Sequence, residues 1–418
     1  MSTAEQSLLM RAMFDATVAA AQPAKFMPRA LDTFLPANIK GKLFVTGFGK
    51  ASAAMAQALE ANLPDNLGIK MSGKIVVPDG HEEVLSRLTV ETASHPVPDV
   101  RSANFASDIL RTADSLVEGD IMLVLISGGG SSLMCLPRAP LTLAEKQAVS
   151  QQLLKKGAPI GDMNCLRKHL SLVKGGQLAA AAYPARTISF AISDVPGDEP
   201  SVIASGPTVA DKTSRHDALA VIEQYGLNVP EAVFDMLRNV SCETPFPDNE
   251  LLSLSHFHLL ATPRQSLEAA AVIARKAGYE PVILGDALEG HSRHLAKEQA
   301  RLARLSGPGK AFISGGETTV IVTGTGKGGR NAEFAHTLAL EGRFYALAAD
   351  TDGIDGSAPV AGAIVTPDTK DRAILAGLDG LAMLENNDSH SFFAALGDQI
   401  ITGPTRTNVN DFRVILTD

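Results

Sequence analysis

The sequence predicts an α/β protein of two domains, the first built on a mainly parallel sheet with helices on both faces. Three observations predict it. At 418 residues the chain is too long for one ordinary hydrophobic core. Apolar runs alternate with helical patterns over short connections, as parallel strands require, because each return must cross a face of the sheet. A polar stretch, "SCETPFPDNE" (241–250), interrupts that alternation after a helical segment. The domains are therefore expected at 1–242 and 250–418.

The elements follow in order. "MSTAEQSLLMRAMFDATVAAAQP" reads as an amphipathic helix; Glu5, Arg11 and Asp15 break the apolar run that a signal peptide would need. "KLFVT" (42–46), "GKIVVP" (73–78), "IMLVLIS" (121–127) and "RTISFAIS" (186–193) read as buried strands. Helical stretches such as "NFASDILRTADSLV" and "LAEKQAVSQQLLKK" separate them. The second half offers "HFHLLA" (256–261), "EPVILG" (280–285), "KAFIS" (310–314) and "FYALAA" (344–349). "TTVIVTG" (318–324), close behind "ISGGE", is expected to be a hairpin partner, which would make this second sheet mixed.

Composition narrows the class. Apolar residues make up 45% and charged residues 20%, as in a soluble globular protein. A net charge of −9 argues against a broad nucleic-acid surface, but a small anion needs only a few local cations. No stretch has the length of a membrane span. Cys135, Cys165 and Cys242 are sparse and odd in number, which gives neither a disulfide framework nor zinc spacing and fits a reducing, cytoplasmic setting. The expected partners are small molecules, with no nucleic acid and no membrane; oligomeric state stays open, a homodimer being one arrangement.

Unusual residues gather at strand ends, where open α/β sheets bind ligands. "GFGKAS" (47–52) places Gly47, Gly49 and Lys50 where a strand turns into a helix, and a helix N-terminus suits an anion. "SGGGSS" supplies Gly128, Gly129, Gly130, Ser131 and Ser132, a phosphate cradle or else a plain tight turn. "GTGKGGRNAEFA" (324–335) sets Arg330 at a helix start, suited to forked phosphoryl contacts, with Lys327 nearby. Asp194, Asp198, Glu317, Asp350, Asp352 and Asp355 form an acidic set, and magnesium bound with a nucleotide uses one or two carboxylates. Asp355 reads better as a turn former or helix cap. The P-loop spacing is missing, and the dinucleotide fingerprint fails at its third glycine, where Ser52 stands. His291 and His294 read as surface or hinge residues.

Taken together and in order, "GFGKAS", "SHPVPD" (94–99), "SGGGSSL", "LRKHLSLVKGGQLA", "SDVPGDEPSVIASGPT", "SGGETTV", "GGRNAEFA" and "ADTDGIDGSAPVAGA" (349–363) resemble the class II glycerate 2-kinases, whose C-terminal part is the MOFRL domain. The resemblance implies a Rossmann-like α/β/α domain, a smaller C-terminal α/β domain with a mixed sheet, and an active site in the cleft between them. It implies phosphoryl transfer from ATP to the 2-hydroxyl of D-glycerate with Mg²⁺ or another divalent cation. In that family the residues matching Lys50 and Arg330 are regarded as essential. Asp194 then serves as metal ligand or as base, with Glu317 and Asp352 as further metal ligands. Gly47, Gly49 and the 128–132 turn would bind the nucleotide. Arg167, Lys168 and Lys174 are candidates for the glycerate carboxylate, or else form a solvated helix face, and "SHPVPD" with Asp99 is a candidate for the acceptor. Relatives labelled hydroxypyruvate reductases make an NAD(P)H-dependent reductase one rival; a non-catalytic nucleotide or sugar-acid binding protein is another. Arg406 in "GPTRTNVND" stands where the family more often has glycine.

Overall fold

The computed structural model describes residues 1–63, 70–356 and 358–417; Ser357 of the 349–363 motif lies outside them. The chain forms two compact units, Phe26–Leu260 and the pair Met1–Lys25 with Ala261–Asp418. This differs from the expected boundaries at both ends. The helix Thr3–Ala20, closed by a capping box between Ser2 and Glu5, buries Leu9, Met10, Met13 and Phe14 in the core of the second unit. Its Gln6 also hydrogen-bonds Tyr279 at 2.7 Å. An amphipathic helix belongs where its apolar stripe finds a partner, whatever its place in the chain.

Twelve strands are formed among the described residues: β1 Lys42–Phe48, β2 Lys70–Pro78, β3 Thr89–Ala93, β4 Ile121–Ile126, β5 Arg186–Ile192, β6 Ser255–Ala261, β7 Glu280–Gly285, β8 Lys310–Ser314, β9 Tyr345–Asp350, β10 Gly362–Val365, β11 Gln399–Ile400 and β12 Asp411–Leu416. The first sheet runs β3-β2-β1-β4-β5-β6, and its pairs from β3 to β5 are parallel. This is the Rossmann order, with its switch point between β1 and β4. β4 is buried along its whole length, and Phe48, Met122, Val124 and Ile126 share one core with the helix Val100–Asp114.

"HFHLLA" therefore edges the first sheet instead of opening the second, with His258 stacked on Phe34 at 3.7 Å. The second sheet runs β11-β10-β9-β12-β8-β7, antiparallel except for β7 beside β8. "TTVIVTG" is not a strand. The edge of β8 that it was expected to fill is taken by β12, and the N–H groups of Thr323 and Gly324 donate instead to Asn387 Oδ1 at 2.8 and 2.9 Å.

In the second unit His336 is fully buried, stacked on Phe392 at 3.9 Å, and burial pushes its imidazole down from 6.5 to about 3. The unfolded chain takes up this proton near the ordinary histidine value, while the folded chain resists it. Stability is therefore full above pH 6.5 and lost as pH falls from there toward about 3. Thermal unfolding of His336→Gln across that range is expected to show a flatter dependence of Tm on pH than the parent protein.

Candidate active site

Lys50 and the glycine turn lie beyond the carboxyl ends of β1 and β4, the two strands that flank the switch point. The Lys50 N–H donates to the Gly128 carbonyl at 2.9 Å, which ties the two loops together. Ser127 Oγ accepts the Ala51 N–H at 3.0 Å, just ahead of the helix Ser52–Asn62. Gly49 has a φ of +134°, and a Cβ there would lie 2.3 Å from Ser127 Oγ. Gly47 lies inside β1, where a Cβ would meet the Leu125 carbonyl at 2.9 Å. Close backbone packing thus accounts for both glycines.

In the 128–132 turn, Gly129 has a φ of +82°, and a Cβ would come within 2.8 Å of the His95 ring. The glycine admits this histidine of "SHPVPD". The N–H groups of Gly130, Ser132 and Met134 already bond Ser127, Gly129 and Gly130 carbonyls. Ser131 Oγ lies 3.0 Å from both Lys174 Nζ and Ser205 Oγ. Ala204 and Ser205, at φ +51° and +61°, hold an uncommon left-handed backbone beside it. Asp194 is half-buried and follows β5, the neighbour of β4.

A cavity of about 260 Å³ opens against this turn, with Lys146, Arg167 and Lys174 in its wall. The solvated-face reading of "LRKHLSLVKGG" fails. Lys168 is buried in an ion pair with Asp211 at 3.1 Å, and Lys174 is 2% exposed. Burial pushes Lys174 down to about 7 and Lys146 to about 8. Lys146 was not anticipated. It sits with Val149 and Leu153 on the buried side of the helix Leu143–Lys155, and a lysine at i, i+3, i+7 spacing with apolar residues is the signal that could have found it.

In the second unit, Arg330 opens the helix Arg330–Glu341 and bonds Glu317 at 2.6 Å, Asp350 at 2.7 Å and Asp411 at 2.8 Å. Burial would lower its affinity for the proton, but Asp411, Asp350 and Glu317 outweigh burial and raise it. Three of five guanidinium N–H donors are thereby committed, and two remain. Asp355 is a cap, though for a distant helix: its carboxylate accepts the N–H groups of Asn331 at 3.0 Å and Ala332 at 2.8 Å. Asp352 Oδ1 accepts the Ile354 N–H at 2.9 Å. Lys327 is exposed, and its N–H donates to Asp388 at 2.9 Å. His294 is a surface residue paired with Glu298.

Of the expected metal ligands, Asp194 belongs to one unit and Glu317 and Asp352 to the other. Among the described residues no three His, Cys, Asp or Glu side chains are grouped to hold a metal ion. A nucleotide-borne Mg²⁺ is less demanding, since it is held by one or two carboxylates with phosphate and water oxygens, a number that the carboxylates of either unit can supply.

Residues 9–238 match the family described as a domain of unknown function, DUF4147, and residues 310–411 match the MOFRL family. A Thermotoga maritima protein named D-glycerate 2-kinase is 38% identical over 93% of this chain and 94% of its own. An Agrobacterium vitis protein provisionally named a hydroxypyruvate reductase is 46% identical over 98% of this chain and 94% of its own. The crystal structure of a Thermotoga maritima glycerate kinase matches with a TM-score of 0.87 at 34% identity, covering 99% of both chains.

Arg413 is fully buried and ion-paired with Asp411, the same carboxylate that holds Arg330. Asp411→Ala strands a buried guanidinium and is expected to cost roughly 3–5 kcal/mol. Denaturant unfolding of that variant beside Glu317→Ala, whose partner is more exposed and which should cost far less, checks the assignment.

Proposed function

We infer the reaction from one premise: the chain belongs to the family that joins a DUF4147 domain to a MOFRL domain, with relatives named glycerate 2-kinases. The protein is a glycerate kinase, and its reaction moves the γ-phosphoryl group of ATP to the 2-hydroxyl of D-glycerate. One observation supports this placement above the others. Lys50 and the glycine turn stand together at the switch point of a Rossmann-ordered sheet, where such folds bind phosphorylated ligands.

Phosphoryl transfer asks a protein mainly for alignment and for charge neutralisation. Lys50 supplies a cation at a helix start, held in place by its own N–H bond to the glycine turn. Arg330 supplies a guanidinium fixed on three sides with two N–H donors left for phosphoryl oxygens. Its carboxylate partners keep it charged and stationary, so little reorganisation is needed at the moment of transfer. Asp194, Glu317 or Asp352 would hold a Mg²⁺ brought in with the nucleotide, which would supply positive charge to offset that of the phosphates. Asp194 at the end of β5 is otherwise the base toward the attacking hydroxyl.

The reductase reading draws on the name of the Agrobacterium vitis relative. Against it, the third fingerprint glycine is Ser52, whose Oγ donates to the Leu125 carbonyl at 3.1 Å. A coupled assay with ATP, Mg²⁺ and D-glycerate is expected to yield 2-phosphoglycerate. Lys50→Ala and Arg330→Ala should each lower kcat/KM by roughly 10²–10³, as losing one transition-state donor does. NADH oxidation with hydroxypyruvate, and no ATP turnover, would reverse the assignment.

A further inference from the structure

The wall of the cavity beside the glycine turn contains Lys146, Arg167 and Lys174 and no aspartate or glutamate. Lys146 and Lys174 are 5% and 2% exposed. Burial without a countercharge is costly for any ion. The depressed lysines register that cost: burial leads in both, and the neighbouring Arg167 adds to it. Among the neighbouring groups only the Cys135 thiol opposes it, and the other charges around these lysines, Lys146, Arg167 and Arg138, are all cations. A concentration of positive charge that the protein does not balance is a site that expects an anion.

The three cations are not equivalent. Lys174 Nζ donates to the Ser131 carbonyl at 2.7 Å, to Ser131 Oγ at 3.0 Å and to the Met134 carbonyl at 3.2 Å, which uses all its donors. Lys146 Nζ donates to the Leu170 and Arg167 carbonyls at 2.7 and 3.3 Å. Both ammonium groups are held in place by backbone carbonyls. Arg167 is half-buried, and its guanidinium has no hydrogen bond or ion pair among the described residues. Its planar fork matches a carboxylate.

We propose that this cavity is the acceptor site, in which Arg167 grips the carboxylate of a small hydroxy acid while Lys146 and Lys174 hold it by charge. The proposal rests on the kinase reading for the identity of the acid. The volume, about 260 Å³, lies below the range of roughly 300–1,000 Å³ typical for drug-sized ligands, so it suits a short acid and not a nucleoside triphosphate. Val97, Pro98 and Leu154 give the wall an apolar side, and Ser132 and Gln151 offer polar partners for hydroxyls. Lys174 links the cavity to the same turn that Lys50 bonds, so the acid sits beside the phosphoryl-binding loop within one unit.

The test uses the full chain and D-glycerate without nucleotide. Titration calorimetry near pH 7.5 should show binding with net proton uptake, because an incoming carboxylate draws Lys174 back toward its charged form. Arg167→Met is expected to weaken D-glycerate binding at least tenfold and to raise its KM, with the KM for ATP unchanged. The unliganded variant should melt no lower than the parent, since an unpaired, half-buried cation has been removed; Arg167→Lys should recover part of the affinity. An Arg167→Met protein that melts lower yet keeps its D-glycerate affinity would overturn the proposal, as would protection by inorganic phosphate with none by D-glycerate. Normal phosphorylation of glycerate by Arg167→Met sinks this proposal alone. Arg167-dependent binding of D-glycerate with no ATP turnover sinks the kinase reading and leaves the cavity assignment standing.

Discussion

The bond from the Lys50 N–H to the Gly128 carbonyl, 2.9 Å long, is the constraint on which the first unit's chemistry depends. β1 and β4 run parallel and adjacent, but the chain leaves them in opposite directions, and the sheet opens where their loops part. Closing that gap with one backbone bond brings a lysine, a helix start and a glycine turn together. Glycine is needed on both sides of the join. At position 49 a side chain would strike Ser127, and at position 129 it would strike His95. The Gly130 and Ser132 N–H groups are spent on the Ser127 and Gly129 carbonyls, which stiffens the turn beside Lys50, His95 and Lys174.

The two units handle charge in opposite ways. Arg330 and Arg413 are surrounded by Glu317, Asp350 and Asp411, so each buried cation has its counterion within the protein. Such arrangements hold the two guanidinium groups in a fixed geometry. Among the described residues, the wall shared by Lys146, Arg167 and Lys174 has no aspartate or glutamate, and burial pushes Lys174 down to about 7 and Lys146 to about 8. A protein that can pair its buried cations this thoroughly in one place and leaves them unpaired in another has a ligand-shaped reason for the difference.

Much of the fold was legible because β1, β4 and β5 lie between helices on both faces and read as continuous apolar runs. β12 was not, since it begins with Asp411 and buries Arg413, and a strand carrying two charges looks like surface until its ion pair is seen. β3 and β10 are short, and β3 carries Glu91. "TTVIVTG" misled in the other direction. Its β-branched residues suit a strand, yet Ile321 and Val322 are 59% and 75% exposed and its backbone is claimed by Asn387. Strand propensity describes a fit to a half-buried pleated surface, and with β12 and β7 on its two sides β8 had no edge left to provide one. Lys50, the 128–132 turn and Arg330 stood out because glycine and charge at strand ends are unusual. Lys146 was hidden in an ordinary helix, where lysines are normally solvated.

Arg406 shows how a departure from a family pattern becomes physical once the backbone is known. Its φ is +65°, in the left-handed region where a side chain costs roughly 1–2 kcal/mol and glycine costs none. The glycine more usual at this place therefore suits the backbone of the loop, without any appeal to a ligand. Thr405, the residue before, is held at both ends, its N–H donating to the Asp352 carbonyl at 3.0 Å and its Oγ1 to the Thr351 carbonyl at 2.5 Å. Those bonds anchor the loop to the turn that carries Asp350 and Asp352, so the conformation at 406 is imposed from outside the residue. Strain of this kind persists only where its surroundings are rigid, and here the rigid partner is the acidic turn next to Arg330.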